Sequence, residues 1–128
     1  MNHTHGPRTR AIHAGYAPDP LTGAVAPPIH QTATFAFASA EEGAARFAHE
    51  ADGYIYTRYG NPTTAVFEER IAALEGAEAA LGTASGMAAI TTVLLGLQKA
   101  GDHVVATDAL YTATLVFLTE TLPGLGVQ

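Results

Sequence analysis

Three clusters in this 128-residue sequence carry side chains capable of chemistry, and each also has a plainer use. The first is Ser85-Gly86-Met87, where a short run of small residues gives way to a helical pattern. The first turn of a helix leaves N–H groups unpaired and puts the positive end of the macrodipole beside them. With glycine at the junction, an anion such as a phosphate can reach that backbone. The alternative is that Ser85 only caps the helix and Gly86 serves close packing. The segment is neither a Walker loop nor G-x-G-x-x-G, so no motif supports nucleotide binding. The second cluster is Tyr54-Ile55-Tyr56-Thr57-Arg58-Tyr59, followed by Gly60-Asn61-Pro62. Lys and Arg together number only 6, so one arginine among these tyrosines is a concentration. Arg58 can grip a phosphate or carboxylate bidentately while Tyr56 donates its hydroxyl beside it. Equally, an amphipathic strand could pack the aromatics and solvate Arg58. The third is Tyr111, just past an expected strand end, where open α/β sheets bind ligands. Its ring could stack on a planar group and its hydroxyl relay a proton, or it could simply pack.

The remaining titratable groups read as structural. The histidines are scattered, with His3 and His5 near the terminus, and no carboxylate stands at metal-ligand spacing. Glu41/Glu42 and Glu68/Glu69 lie in the first halves of expected helices, where negative charge suits the dipole.

The elements that must position these clusters divide at about residue 60. Residues 1–60 hold five of the 7 prolines (Pro7, Pro18, Pro20, Pro27, Pro28) and read as an extended arm that must pack on its own chain or on another subunit. One helical stretch interrupts it, capped by Ser39 and continuing through Glu41, Glu42 and Ala44–Ala48. From residue 61 to 128 the pattern is regular. Asn61-Pro62 opens a helix carrying Phe67, Ile71 and Leu74 on one face, with Arg70 toward solvent, and Gly76 ends it. Ala79–Thr83 is a short candidate strand. A second helix opens at Ser85 and ends near Gly101. Asp102–Thr107 is a second strand, Leu110–Leu122 a third helix stopped by Pro123 and Gly124, and Gly126-Val127-Gln128 a strand beginning. Helices and strands alternating on short connections predict a parallel sheet of the α/β class.

Composition narrows the classes. Hydrophobic residues make up 48% and charged residues 14%, which predicts a packed core rather than a disordered tail. A net charge of −6 argues against a nucleic-acid surface. The absence of cysteine removes disulfides, zinc-thiolate sites and a thiol nucleophile. No apolar run approaches a membrane span and no secretory leader pattern opens the sequence, so a soluble cytoplasmic protein is expected.

Taken together the motifs resemble the Cys/Met-metabolism (trans-sulfuration) family of pyridoxal-phosphate-dependent enzymes, which takes in methionine γ-lyase, cystathionine γ-synthase and O-acetylhomoserine sulfhydrylase activities. The resemblance runs through Thr9-Arg10-Ala11-Ile12-His13-Ala14-Gly15, Pro27–Phe35, Tyr56–Thr63, Ala84–Ile90, Gly101-Asp102-His103 and Tyr111. It implies an arm over residues 1–60 contacting a neighbouring subunit, and over 61–128 the start of the pyridoxal-phosphate-binding large domain of a fold type I transferase. It further implies that Ser85, Gly86 and Met87 hold the cofactor phosphate. Tyr56 and Arg58 would reach the phosphate of a neighbouring subunit's cofactor, and Tyr111 would stack on the pyridine ring and assist proton transfer. The implied substrates are small sulfur amino acids or O-acyl-homoserine compounds, undergoing γ-elimination or γ-replacement. The implied assembly is a homo-oligomer, a dimer of dimers, with neither nucleic acid nor membrane as partner.

Two departures stand out. Thr112 follows Tyr111 where the family usually has glycine, and Ala113 stands where the methionine γ-lyase branch often carries cysteine, although residues 34–48 look most like that branch. More importantly, family members are several hundred residues long, and their Schiff-base lysine and pyridinium-paired aspartate fall beyond residue 128. Lys99, the one lysine, is expected on the same helix as Gly86, about 20 Å along it, too far to substitute. Two other readings stay open: a non-catalytic remnant that associates with a full-length relative, and an unrelated small α/β phosphate-binding module.

Overall fold

Helix ends form where short-range signals place them. In the computed structural model, which describes residues 5–128, five principal helices are α1 (Pro7–His13), α2 (Ala40–Phe47), α3 (Pro62–Glu75), α4 (Gly86–Leu97) and α5 (Thr112–Val116). The Ser39 hydroxyl oxygen accepts from Glu42 N–H to cap α2, and Asn61 Oδ1 accepts from Thr63 N–H to cap α3. Gly76 closes α3 in the left-handed conformation at φ 67°, where a Cβ would be strained. The chain falls into two units, Met1–Gly82 and Thr83–Gln128.

In the first unit, α1 corrects the expectation of a single helix within the arm. Proline at its start and Arg10 and His13 in its last turn favour it locally. Its decisive support is distant: Arg10 Nη1 donates to the Ala73 carbonyl at 2.6 Å, and Arg70 Nε donates to the Ala14 carbonyl at 2.9 Å. Each arginine thus caps the carbonyl end of the other's helix. Arg70 is therefore a tether, not the solvated residue expected. Gly15, at φ 73°, lets the backbone pass so close that a Cβ would lie 2.7 Å from Glu69 Cβ. The buried side of α3 is the one carrying Ala72, facing α1, whereas Phe67 and Ile71 stay exposed. The apolar stripe exists, but the described residues cover it only in part.

No strand is formed among the described residues, which corrects the strands expected at Ala79–Thr83 and Asp102–Thr107. A strand is stabilised by a neighbour's hydrogen bonds, and these segments have almost none. Thr34 and Tyr56 form one isolated antiparallel bridge in the first unit. In the second, Gln128 N–H donates to the Asp102 carbonyl at 2.9 Å and Val104 N–H to the Gln128 carbonyl at 2.6 Å. These slanted bonds bracketing one residue make a single rung of a parallel ladder.

The second unit is otherwise helical. α4 ends at Leu97 rather than near Gly101, and α5 runs into a π-helical turn, Phe117–Thr121, and then α6 (Leu122–Gly124). Pro123 consequently lies within the helical run instead of stopping it. The wider π turn, in which Leu122 N–H reaches back to the Phe117 carbonyl, carries the chain past it. The packed core expected from composition is not formed by these residues alone. Among the described residues the buried apolar side chains are Ala72, Leu122 and Val127.

Candidate functional site

The turn opening α4 leaves backbone donors open while its serine caps the helix. Ser85 Oγ accepts from Ala88 N–H at 3.0 Å, and the Ser85 carbonyl accepts from Ala89 N–H. The N–H groups of Gly86 and Met87 have no acceptor among the described residues, and the Ser85 hydroxyl proton is free to donate onward. A Cβ built at Gly86 meets nothing within 4 Å among the described residues. What remains is open approach to two unpaired N–H donors at the positive end of a 12-residue helix. Ser85 caps the helix and is still available to a ligand.

Tyr111 stands at the N-terminal end of α5, the residue 72% exposed and its carbonyl accepting from Thr114 and Leu115 N–H. The buried Thr114 donates through Oγ1 to Met87 Sδ at 3.5 Å. That contact joins the first turn of α5 to the first turn of α4, so within this unit Tyr111 and the Ser85–Met87 turn are structurally tied. Thr112 is exposed, so the side chain added there does not fill a packed position. Lys99, expected on the same helix as Gly86, instead lies past the Gln98 cap of α4, where its N–H donates to Asp102 Oδ2. It still lies at the opposite end of α4 from Gly86.

In the first unit, Tyr56 and Arg58 are brought together. The Arg58 guanidinium carbon lies 5.2 Å from the Tyr56 ring centre and 5.6 Å from that of Tyr59. The ion pair found among the described residues joins Arg46 to Glu42, and leaves Arg58 without a carboxylate. A cation held by ring faces, its N–H fork unspent, suits a phosphate or carboxylate. Asn61 is the residue that the sequence pattern undervalues. It is 4% exposed and uses its whole side-chain amide. The hint was its residue type, since asparagine adds two N–H donors to the capping oxygen.

Other features lie apart from these clusters. A groove of about 1030 Å³ in the first unit is lined by Arg10, His13, Glu68, Glu69 and Glu78, and by none of the expected site residues. No group of three or more His, Asp or Glu among the described residues is placed to hold a metal ion, and His3 lies outside them. Hydrogen bonds hold Asp19, Glu41 and Glu42 below their ordinary pKa values, at a loop and a helix cap.

The comparisons define the class. Residues 8–128 match the family described as Cys/Met metabolism PLP-dependent enzyme, and the chain belongs to that family. It is 52% identical over 124 residues to an L-methionine gamma-lyase of Fusobacterium nucleatum subsp. polymorphum, covering 97% of this chain and 31% of that protein. An O-acetyl-L-homoserine sulfhydrylase of Leptospira meyeri is 45% identical over 95% of this chain and 28% of its own length. Among solved structures, a putative O-acetylhomoserine (thiol)-lyase of Campylobacter jejuni carrying N'-pyridoxyl-lysine-5'-monophosphate matches with TM-score 0.89 and 33% identity, over 97% of this chain and 30% of that one. The chain thus spans about 30% of the length of the relatives it matches. Its fold is that of the corresponding part of a fold type I, α/β pyridoxal-phosphate enzyme, even though these residues form no sheet of their own.

Proposed function

We propose that these residues are the N-terminal part of a pyridoxal-phosphate-dependent lyase or transferase acting on sulfur amino acids, by γ-elimination or γ-replacement. The observation that carries the reading is the pair of unpaired N–H groups at Gly86 and Met87, on open backbone, in a chain of this family. Those two donors and the Ser85 hydroxyl bind the cofactor phosphate, with the α4 macrodipole favouring its charge. Arg58 and Tyr56 donate to the phosphate of a neighbouring subunit's cofactor, which is why Arg58 has no carboxylate of its own. In this reading residues 1–60 form the arm that contacts that subunit, residues 61–128 begin the cofactor domain, and the assembly is a dimer of dimers. Tyr111, exposed and tied through Thr114 to Met87, offers its ring face to the pyridine and its hydroxyl to a proton in transit. When bound, pyridoxal phosphate would supply an electron sink for a carbanion at the substrate Cα, after which a substituent at the γ- or β-carbon can leave.

Borohydride reduction of the native protein with bound cofactor, followed by peptide mapping, tests the reading. The expected label lies on a lysine beyond residue 128; stoichiometric label on Lys99 overturns it. The sparse burial favours one second reading, a non-catalytic remnant that associates with a full-length relative. The intact mass of the native protein separates the two, because a remnant has the mass of this chain alone.

A further inference from the structure

We infer that Asn61, acting with Thr57, is the positioning residue for Arg58. The inference rests on the reading of Arg58 as a phosphate ligand. Arg58 forms no side-chain hydrogen bond among the described residues, and the two rings it touches belong to its own turn. Whatever fixes that turn therefore fixes the guanidinium. The turn is closed on itself by Tyr59 N–H and Gly60 N–H, both donating to the Tyr56 carbonyl at 2.8 and 3.2 Å. Its entering side is held by the Thr34–Tyr56 bridge, with Thr57 N–H donating to the Ala33 carbonyl at 2.8 Å.

Its leaving side is held by Asn61. Nδ2 donates to the His30 carbonyl at 3.0 Å and to Thr57 Oγ1 at 3.1 Å, while Oδ1 accepts from Thr63 N–H at 2.8 Å. Only this orientation of the amide satisfies all three partners. Thr57, having accepted from Asn61, donates its own proton to the Thr32 carbonyl. One continuous relay thus runs from His30 through Asn61 and Thr57 to Thr32, under the turn that carries Arg58. Being buried and fully used, the amide cannot shift without stranding a polar group.

Asn61→Asp separates capping from positioning. Aspartate caps as well as asparagine, so Thr63 N–H keeps its acceptor, but the second oxygen cannot donate to His30 or Thr57. Thr57→Val breaks the same relay with little change of shape and no added charge, so agreement between the two variants excludes simple repulsion of the phosphate. It also carries the test if the aspartate variant fails to fold. Dissociation constants for pyridoxal phosphate and for unphosphorylated pyridoxal are measured on the native-length protein. Both variants should weaken pyridoxal phosphate by about tenfold or more while leaving pyridoxal within about twofold. Equal losses for both ligands, or no loss, overturn the inference, because a merely structural role does not distinguish them. Arg58→Ala serves as the reference. If it too fails to distinguish the ligands, the phosphate assignment falls; if it distinguishes them and the other two do not, only the positioning role falls.

Discussion

The two units leave hydrogen-bond donors unspent by opposite means. In the first, the donors are side chains, Arg58 and Tyr56, on a turn tied to the Thr32–Phe35 segment and to the start of α3 by polar clamps. In the second, two of the donors are the bare backbone at Gly86 and Met87, and α4 itself contains no charged residue. The first arrangement depends on which side chain is present and fails when its chemistry is removed. The second depends on space and fails when atoms are added. A helix apolar on all sides, with Val93, Leu95 and Leu97 largely exposed, also needs cover that the described residues do not supply.

The largest effect tests whether the side-chain donors serve another subunit. Two inactive native-length variants are mixed, one Arg58→Ala and one lacking the cofactor-bearing lysine. If Arg58 reaches a neighbour's cofactor, a mixed dimer holds one finished site in two, and activity returns from none. If Arg58 serves its own chain's site, no mixture restores it. Verified subunit exchange without recovered activity ends the reading of residues 1–60 as an arm across the interface.

The backbone donors call for the reverse substitution. Gly86→Ala adds a methyl group that meets nothing in the folded chain, at a position of ordinary helical conformation. Alanine there should stabilise the fold by up to about 1 kcal/mol, since glycine loses more freedom on folding. If the cofactor phosphate sits on this backbone, the same methyl stands in its approach, and pyridoxal phosphate should bind about tenfold more weakly, a loss near 1.4 kcal/mol. Unfolding midpoint and cofactor affinity therefore move in opposite directions. Unchanged affinity would remove Gly86 from the phosphate site.

Local signals in the sequence were sufficient for the helix starts at Ser39, Asn61 and Ser85, because each cap acts over two or three residues. They were insufficient for α1, whose support from Ala73 lies 63 residues away, and for Asn61 as a clamp, whose His30 partner lies 31 residues back. Phe67 and Ile71 show a further limit: periodicity identifies an apolar face without supplying what covers it. The expected strands failed for the same reason, a ladder being a property of two segments. Ser85, Arg58 and Tyr111 were legible as donor and ring types. Their reading as pyridoxal-phosphate ligands, Arg58 toward a neighbouring subunit's, came from the combination of motifs and not from any single cluster.

The smallest effect asks whether the polar clamping of the first unit is local. Glu42 Oε2 accepts from Ala38 N–H at 2.6 Å and Oε1 pairs with Arg46. The Ala38 N–H, opposed by some desolvation and aided by Arg46, holds the carboxyl below its ordinary 4.5. A carboxylate depressed in the folded state stabilises fully above its unfolded pKa. That contribution fades as pH falls below 4.5 and is gone below the folded value. Because the group is solvent-facing, the contribution is modest and screened by salt. Amide hydrogen exchange in α2 should therefore be faster in Glu42→Gln than in the parent at pH 7. The gap should close as pH is lowered through that window, once intrinsic exchange rates are corrected for. Amides of α4 should exchange alike in both proteins throughout. A gap that persists in acid would mean that Glu42 acts through packing rather than charge, and a change spreading to α4 would mean that the two units do not hold their shapes independently.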